Sequence, residues 1–298
     1  MLNPEISLND RLPDRIVRNS ELAEFASRWQ PVILRLRNSA PPALRNLLSG
    51  TALGHSLHPV LTDIPIGAWT VTALLDVLGA LGAPDVALAS DAALGLGLAG
   101  GLGAIVTGYA DWADTSDDPR TLGMLHAAMN SAAFSGYAAS LLLRVSGQRR
   151  LGVAVAMASY GVMAFSAFLG GELMGSYQLG VKHTAVPKPP PERFVRVASL
   201  DEVADGTMHS CDIDGIPVLV LRLGEDVLAM SGACSHRGAP LGEGKVEGAA
   251  GDCVRCPWHG SLFSFRDGSV VEGPATFPQG KLETRIVAGQ ISVRAPQR

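Results

Sequence analysis

The chain has 298 residues, enough for one large domain or two ordinary ones. Its 24 Lys and Arg against 28 Asp and Glu give a net charge of −4, so no basic excess points to a nucleic-acid partner. Residues 51–181 hold 13 charged side chains among 131, whereas residues 193–298 hold 24 among 106. The first stretch is too apolar for a water-exposed domain, so a single soluble globule is excluded.

Residues 1–50 are predicted to form a cytoplasmic arm with amphipathic helices. Between residues 14 and 49, apolar side chains recur at helical spacing and are separated by arginines. This pattern favours helices that lie on the inner leaflet of a membrane. A loosely ordered arm is the alternative.

Residues 51–182 are predicted to form an all-α transmembrane bundle. Crossing a bilayer takes about 20 mostly apolar residues. Four segments meet this length, with short polar connections between them: Val60–Ala83, Ala92–Ala110, Thr121–Leu143 and Leu151–Gly171. Small residues at four-residue spacing on the second segment (Ala93, Gly97 and Gly101) favour close helix packing in lipid.

The basic residues of the connections predict the orientation of these spans. With four spans both termini lie on one side, which then holds ten basic residues against three on the other. The ten are Arg11, Arg15, Arg18, Arg28, Arg35, Arg37, Arg45, Arg120, Lys182 and Lys188, and the three are Arg144, Arg149 and Arg150. We therefore expect both termini to face the cytoplasm, in a bacterial cytoplasmic membrane.

Residues 183–193 are predicted to be a Pro-rich linker, and residues 194–298 a small all-β domain. The four prolines of the linker favour an extended, semi-rigid spacer. Beyond it, short β-branched runs alternate with turn signals. The predicted strands are Phe194–Ala198, Ile216–Leu223, Val227–Met230, Ser261–Phe265, Thr284–Val287 and Ile291–Arg294.

Two short motifs in this last region each contain one cysteine and one histidine. Cys234-Ser235-His236 is followed, after 19 intervening residues, by Cys256-Pro257-Trp258-His259. Two thiolates and two imidazoles fit either a tetrahedral zinc ion or a [2Fe–2S] cluster with the thiolates on one iron and the imidazoles on the other. The spacing favours the cluster, because a zinc finger takes its cysteines from one knuckle and its histidines from a helix.

The C-x-H and C-x-x-H pattern, with the Gly-Ser-Leu-Phe that follows and the later Gly273-Pro274-Ala275, resembles the Rieske ferredoxin family. The resemblance covers about residues 193–298. It implies that Cys234 and Cys256 ligate the inner iron, and that His236 and His259 ligate the outer iron near the surface. The disulfide clamp of the cytochrome bc type is missing, since Ala239 and Trp258 stand at its positions, and Phe263 replaces the usual Tyr. The resemblance therefore implies a low-potential, ferredoxin-type centre that keeps one nearby hydroxyl, Ser261.

Two further cysteines, Cys211 and Cys253, stand outside the motif. We expect both to be reduced thiols, because disulfides are rare in cytoplasmic domains.

The segment Gly54–Pro59, with Asp63-Ile64-Pro65-Ile66-Gly67, resembles a bacterial membrane domain of unknown function. The resemblance covers about residues 50–182 and implies four spans. On that topology, His58 and His126 lie near the starts of the first and third spans. We therefore expect them to approach each other, where they are candidates for ligating a b-type haem or binding a quinone. The alternative is that these histidines only cap helix ends and meet water.

The leading hypothesis is a membrane-anchored protein that carries single electrons at the cytoplasmic face. Its predicted partners are membrane lipid and a redox protein or molecule such as a reductase, ferredoxin, quinone or oxygenase. A complete oxygenase is not expected. Such an enzyme needs a further domain with an iron site of two histidines and one carboxylate, and the chain after His259 is too short to form that domain. The alternatives are a membrane binding or transport protein whose cluster senses redox state or iron, and a zinc-bearing interaction module.

Overall fold

The computed structural model describes residues 12–183 and 190–297. The chain divides into two compact units. One, the helical unit, comprises Met1–Ala40 and Leu57–Leu179; the other, the β unit, comprises Pro41–Ser56 and Gly180–Arg298. Most of the predicted linker, residues 184–189, lies outside the described residues, and so do the first eleven residues of the predicted arm.

Six helices lie within the part of the helical unit that the structure describes. They are α1 (Leu12–Val17), α2 (Ser20–Ser39), α4 (Leu57–Ala80), α5 (Val86–Trp112), α6 (Asp117–Val145) and α7 (Arg149–Gly175). The seventh helix of the chain, α3 (Pro42–Ser49), belongs to the β unit. Each predicted span thus corresponds to one long helix.

Among the described residues, three helices are long and apolar enough to cross a membrane: α4, α5 and α7. Helix α6 has 29 residues but does not reach that apolar content. Its polar side chains include Ser140 and Arg144, which are buried against neighbouring helices. The helical, membrane-type character of this region is confirmed, whereas length and composition do not confirm a count of four spans.

Helices α4 and α5 form one hairpin, and α6 and α7 form a second. Three residues of α4 each contact the residue of α6 that lies 68 positions later in the chain. Such contacts between equivalent positions are expected when two equivalent hairpins are related by a pseudo-two-fold axis. The imidazole layer is His58 with His126, whose ring centroids lie 6.5 Å apart. The ring layer is Trp69 stacked on Tyr137, with centroids at 4.1 Å. The ion-pair layer is Asp76 with Arg144.

The ion-pair layer satisfies its charges inside the bundle. Arg144 donates to Asp76 at 3.0 Å, to Asp91 at 2.9 Å and to Ser90 at 2.9 Å. Arg149 also donates to Asp91, at 2.8 Å. Asp76 and Asp91 thus both pair with arginines at the end of α6 and the start of α7.

Small residues allow the ring layer to form. A Cβ at Gly97 would lie 2.2 Å from the Trp69 Nε1 atom, and one at Gly101 would lie 3.1 Å from the same indole. The small face predicted on the second span therefore receives a large aromatic side chain.

The described residues of the β unit form ten antiparallel strands in two sheets. They are β1 (Val195–Ser199), β2 (Met208–Ile213), β3 (Ile216–Leu223), β4 (Asp226–Ser231), β5 (Lys245–Glu247), β6 (Cys253–Arg255), β7 (Leu262–Ser264), β8 (Val270–Glu272), β9 (Lys281–Val287) and β10 (Gln290–Arg294). The larger sheet has the order β1-β10-β9-β4-β3-β2, and the smaller has the order β5-β6-β7-β8. The predicted all-β fold is confirmed. Strands β2, β5, β6 and β8 were missed, and three of these have only three residues.

Candidate metal centre

Two loops of the β unit share one backbone pattern, and each carries one of the sequence motifs. In the first loop, Cys234 N–H donates to Ala239 O at 2.8 Å, and Gly238 N–H donates to Cys234 O at 2.8 Å. In the second, Cys256 N–H donates to Ser261 O at 2.8 Å, and Gly260 N–H donates to Cys256 O at 3.2 Å. Both loops therefore turn back on their cysteine in the same way.

The turn needs glycine at the fourth residue after each cysteine. Gly238 has a φ of 73° and Gly260 a φ of 76°. This left-handed conformation is strained for residues with a Cβ. The equivalent glycines explain why two loops of different sequence form the same backbone hydrogen bonds.

The two cysteines lie inside the unit, with Cys234 1% exposed and Cys256 3% exposed. Hydrogen bonding with the Cys256 thiol, and then burial, raise the pKa of Cys234 well above its ordinary value. The Cys234 thiol thus holds its proton until a metal replaces it, because only the thiolate is a ligand.

The two histidines lie at the edge of the same site. The ring centroids of His236 and His259 are 5.0 Å apart, with the planes at 88°. Their Nδ1 atoms are buried, while both rings remain only half-buried. Trp258 is 57% exposed, and its ring centroid lies 6.4 Å from that of His259. All four residues predicted from the motifs are therefore brought together, with thiols inside and imidazoles toward the surface.

Gln279 fixes the first loop and was not found from the sequence. Its Oε1 accepts from Ser235 N–H at 3.0 Å, and its Nε2 donates to Ala233 O at 2.7 Å. Ser235 Oγ donates to Phe277 O at 2.6 Å. Gln279 is 4% exposed, and no pattern in the sequence marks it as buried.

The second loop is held by Ser261 and Arg255. Ser261 Oγ accepts from Ala275 N–H at 2.9 Å, which joins this loop to the Gly273-Pro274-Ala275 segment. Arg255 donates to Gly260 O at 2.7 Å and pairs with Glu247 at 2.8 Å and with Glu272 at 3.2 Å. Ser261 is fully buried, so the hydroxyl noted in the sequence lies inside the site.

Residues Pro41–Ser56, which we call the docked segment, also pack on residues 271–275. Asn46 Nδ2 donates to Val271 O at 3.2 Å, and Asn46 Oδ1 accepts from Gly273 N–H at 2.8 Å. Thr51 Oγ1 donates to Ala275 O at 3.2 Å, and Arg45 pairs with Glu272. The sequence pattern predicted that α3 belongs to an amphipathic arm. In the structure, α3 instead packs as part of the β unit.

Cys211 and Cys253 stand outside the two loops that carry the candidate metal ligands. Burial raises the pKa of Cys211 to about 11, and burial also raises the pKa of Cys253 above its ordinary value. Both are free thiols, as the sequence predicted.

The membrane-region histidines fall in separate places. His58 on α4 and His126 on α6 form the imidazole layer of the helical unit. His55 belongs to the β unit, where its ring centroid lies 6.2 Å from that of Phe277.

Two family matches agree with this architecture. Residues 193–285 match the family described as Rieske [2Fe-2S] domain. Residues 54–183 match the family described as predicted membrane protein (DUF2231).

Several ferredoxins match about a quarter to a third of the chain. The chain is 42% identical over 77 residues to the anthranilate 1,2-dioxygenase ferredoxin subunit of Burkholderia cepacia, covering 26% of this chain and 68% of that protein. It is 29% identical over 101 residues to ferredoxin CarAc of Metapseudomonas resinovorans, covering 34% of this chain and 92% of that protein. The ferredoxin of carbazole 1,9a-dioxygenase from Nocardioides aromaticivorans IC177 is a solved structure with 32% identity and a TM-score of 0.32, covering 37% of this chain and 100% of that one.

Loop pattern, residue identities and matches converge on one assignment. This chain belongs to the Rieske [2Fe-2S] domain family through residues 193–285, and it joins that domain to a predicted membrane protein domain (DUF2231) over residues 54–183.

Proposed function

We propose that this protein is a membrane-anchored carrier of single electrons at the cytoplasmic face. The observation that carries the proposal is the pair of matching loops, which bury two thiols and keep two imidazoles at the surface. Buried thiolates hold a redox centre away from water, and half-exposed imidazoles give a partner protein a short path to it.

The Rieske domain implies a [2Fe–2S] cluster, and the residues present fit one. We assign Cys234 and Cys256 to one iron and His236 and His259 to the other. The thiols of Cys234 and Cys256 form one pair, and the imidazoles of His236 and His259 form another. A cluster with two irons takes one pair of each kind. When bound, the cluster supplies reversible one-electron chemistry.

The spacing of the histidine rings also supports this assignment. A ring centroid lies about 1.2 Å beyond its nitrogen, and the nitrogen about 2.0–2.1 Å from a bound metal. Two imidazoles on one tetrahedral ion therefore have centroids about 5.2 Å apart. The observed separation of His236 and His259 is 5.0 Å.

A redox partner docks, in this proposal, on the surface formed by His236, His259 and Trp258. An exposed Trp beside two half-exposed imidazoles is the kind of flat aromatic patch that interfaces favour. The named relatives are ferredoxins of dioxygenase systems. We therefore propose a reductase as electron donor and an oxygenase or another membrane-side acceptor as recipient.

The division of the chain into units supports four spans. The docked segment precedes α4 and residues from Gly180 follow α7, yet both belong to the β unit. One compact unit lies on one side of a bilayer, so the chain between its two parts crosses an even number of times. Helix α6, with 29 residues, is about 43 Å long, enough for the fourth crossing.

The cytoplasmic orientation rests on the ten-to-three excess of basic residues. Reporter fusions at Arg298 and within residues 144–150 test it, since the two sites should report opposite sides. A periplasmic report from Arg298 contradicts the orientation.

The electron-carrier function is tested by redox titration of the full-length protein in detergent, followed by electron paramagnetic resonance. We expect a Rieske signal that appears and disappears reversibly as a one-electron couple. A cluster that falls apart on each reduction would instead support the sensor hypothesis, and protein that holds zinc in place of iron would remove the carrier function altogether.

A further inference from the structure

We propose that His58 and His126 are the two axial ligands of a haem iron inside the helical unit. This site is separate from the Rieske centre and would give the membrane half a redox centre of its own. The inference rests on the imidazole layer, its hydrogen bonds and the glycines that pack against it.

Both imidazoles are held in the tautomer that binds metal. His58 Nδ1 lies 2.8 Å from Ala104 O on α5, and His126 Nδ1 lies 2.8 Å from Ser166 O on α7. A carbonyl oxygen only accepts, so each Nδ1 carries the proton and each Nε2 keeps a lone pair. Metal-binding histidines are oriented in this way, by a hydrogen bond from the nitrogen that does not bind.

The ring separation fits two ligands on opposite sides of one ion. With a nitrogen–metal distance of about 2.0–2.1 Å, two trans imidazoles have centroids about 6.4 Å apart. The observed value for His58 and His126 is 6.5 Å, against 5.0 Å for His236 and His259. The two pairs thus match two different coordination geometries.

Equivalent glycines make room for the two rings. A Cβ at Gly108 on α5 would lie 2.7 Å from His58 Cε1, and a Cβ at Gly170 on α7 would lie 2.9 Å from His126 Cε1. These glycines are 62 residues apart, as are the carbonyl partners Ala104 and Ser166. Each hairpin therefore holds its histidine by the same two devices, and a ligand bound between them lies on the pseudo-two-fold axis.

The protein supplies two donors, so the ligand must bring the others. In the described part of the chain, no third His, Cys, Asp or Glu joins this pair to form a metal-binding group. Trans imidazoles leave four positions around the ion, and a porphyrin fills them with its own nitrogens. Paired imidazoles on a porphyrin iron make a stable electron-transfer centre.

A quinone fits this layer less well. Quinone carbonyls need hydrogen-bond donors, whereas both Nε2 atoms here are acceptors. The Nε2 of His126 already accepts from Asn130 Nδ2 at 3.1 Å, which agrees with its lone pair. Iron binding replaces this single hydrogen bond by a coordinate bond.

The test is a spectrum of full-length protein made in cells supplied with a haem precursor. We expect about one haem per chain by pyridine haemochrome assay, with a sharp reduced-minus-oxidised α band. The ring planes of His58 and His126 are 88° apart. Perpendicular axial rings give a low-spin ferric signal with one dominant, large g value, so the resonance spectrum checks the geometry directly.

Variants assign the ligands. His58→Ala and His126→Ala should each lose the haem bands, while His55→Ala, the matched control three residues away, should keep them. His126→Met should retain haem with an altered α band and a higher potential, and added imidazole should restore bands to the alanine variants. The Rieske signal reports folding of the β unit in every sample. Haem-free wild-type protein with an intact Rieske signal overturns this inference and leaves the carrier function standing, and so does haem retained by a double alanine variant.

Discussion

The two histidine pairs of this protein are positioned by different means. His236 and His259 lie on short loops, where hydrogen bonds within six residues of each cysteine fix the backbone. His58 and His126 lie on helices, and each is oriented by a carbonyl 40 to 46 residues away in the chain. The geometry of the loop pair is thus determined by residues close in sequence, whereas the geometry of the helix pair depends on which helices pack against each other.

Because of this difference, different substitutions should disturb the two histidine pairs. The loop pair depends on two glycines with left-handed backbone and on a few buried polar contacts. The helix pair depends on the register of two equivalent hairpins, which the ring layer and the ion-pair layer also share. Changes in one half should therefore leave the fold of the other half intact.

The largest effect is expected from Cys256→Ser. Its thiol is one of the two proposed thiolate ligands, so iron content and the Rieske signal should fall to background. Cys253→Ser is the matched control, a buried free thiol three residues away. Iron analysis and electron paramagnetic resonance measure both, and a normal spectrum from Cys256→Ser would remove this residue from the site.

A change in the ion-pair layer should destabilise the helical unit alone. Asp76→Asn removes one partner of a buried pair, which costs about 3–5 kcal/mol when the other charge is left unpaired. We expect the lower end of this range, because Asp91 still contacts Arg144. Thermal unfolding in detergent should show the loss, with an unchanged Rieske signal. Asp91→Asn, at a partly exposed position, should cost much less.

Asn46→Ala tests whether the docked segment belongs to the β unit. Two hydrogen bonds to residues 271–273 are lost, each contributing about 1 kcal/mol. Hydrogen exchange at residues 271–275 should rise, and the Rieske signal should decay sooner on warming. Asn38→Ala is the control, since Asn38 contacts Arg37. Equal exchange in the two variants would contradict the docking.

The smallest effect is a shift of potential in Ser261→Ala. Its oxygen accepts from Ala275 N–H, which leaves the hydroxyl proton to stabilise the reduced cluster. Loss of one such bond, worth about 1.4 kcal/mol, should lower a one-electron potential by about 60 mV. Ser264→Ala, three residues further along the chain at the end of β7, is the control. A potential equal to that of the wild type in both variants contradicts this role.

The features that could be predicted from the sequence are those that depend on residues close together in the chain. The motif around Cys234 and Cys256 predicted which side chains meet, because their loops close on themselves. Strands such as β3 were found because alternation runs for eight residues, whereas β5 and β6 are too short to show any period. Gln279 and the docked segment were missed because their partners lie 44 and more than 200 residues away.

The duplicated hairpins did leave a sequence signal. His58, Trp69 and Asp76 have the same spacing as His126, Tyr137 and Arg144, with steps of 11 and then 7 positions along the chain. The signal is weak, because two of the three pairs differ in residue type. Only the contacts between equivalent positions show that the repeat is structural.

The docked segment also constrains how the protein is made. Thr51 leaves the ribosome 224 residues before Ala275, the residue that accepts its hydrogen bond. At about 5–20 residues per second, that gap lasts about 10–45 s. All four long helices are synthesised within this interval, so the β unit cannot be completed before the ribosome has delivered the whole bundle. Completion of the Rieske domain therefore follows synthesis of all four long helices.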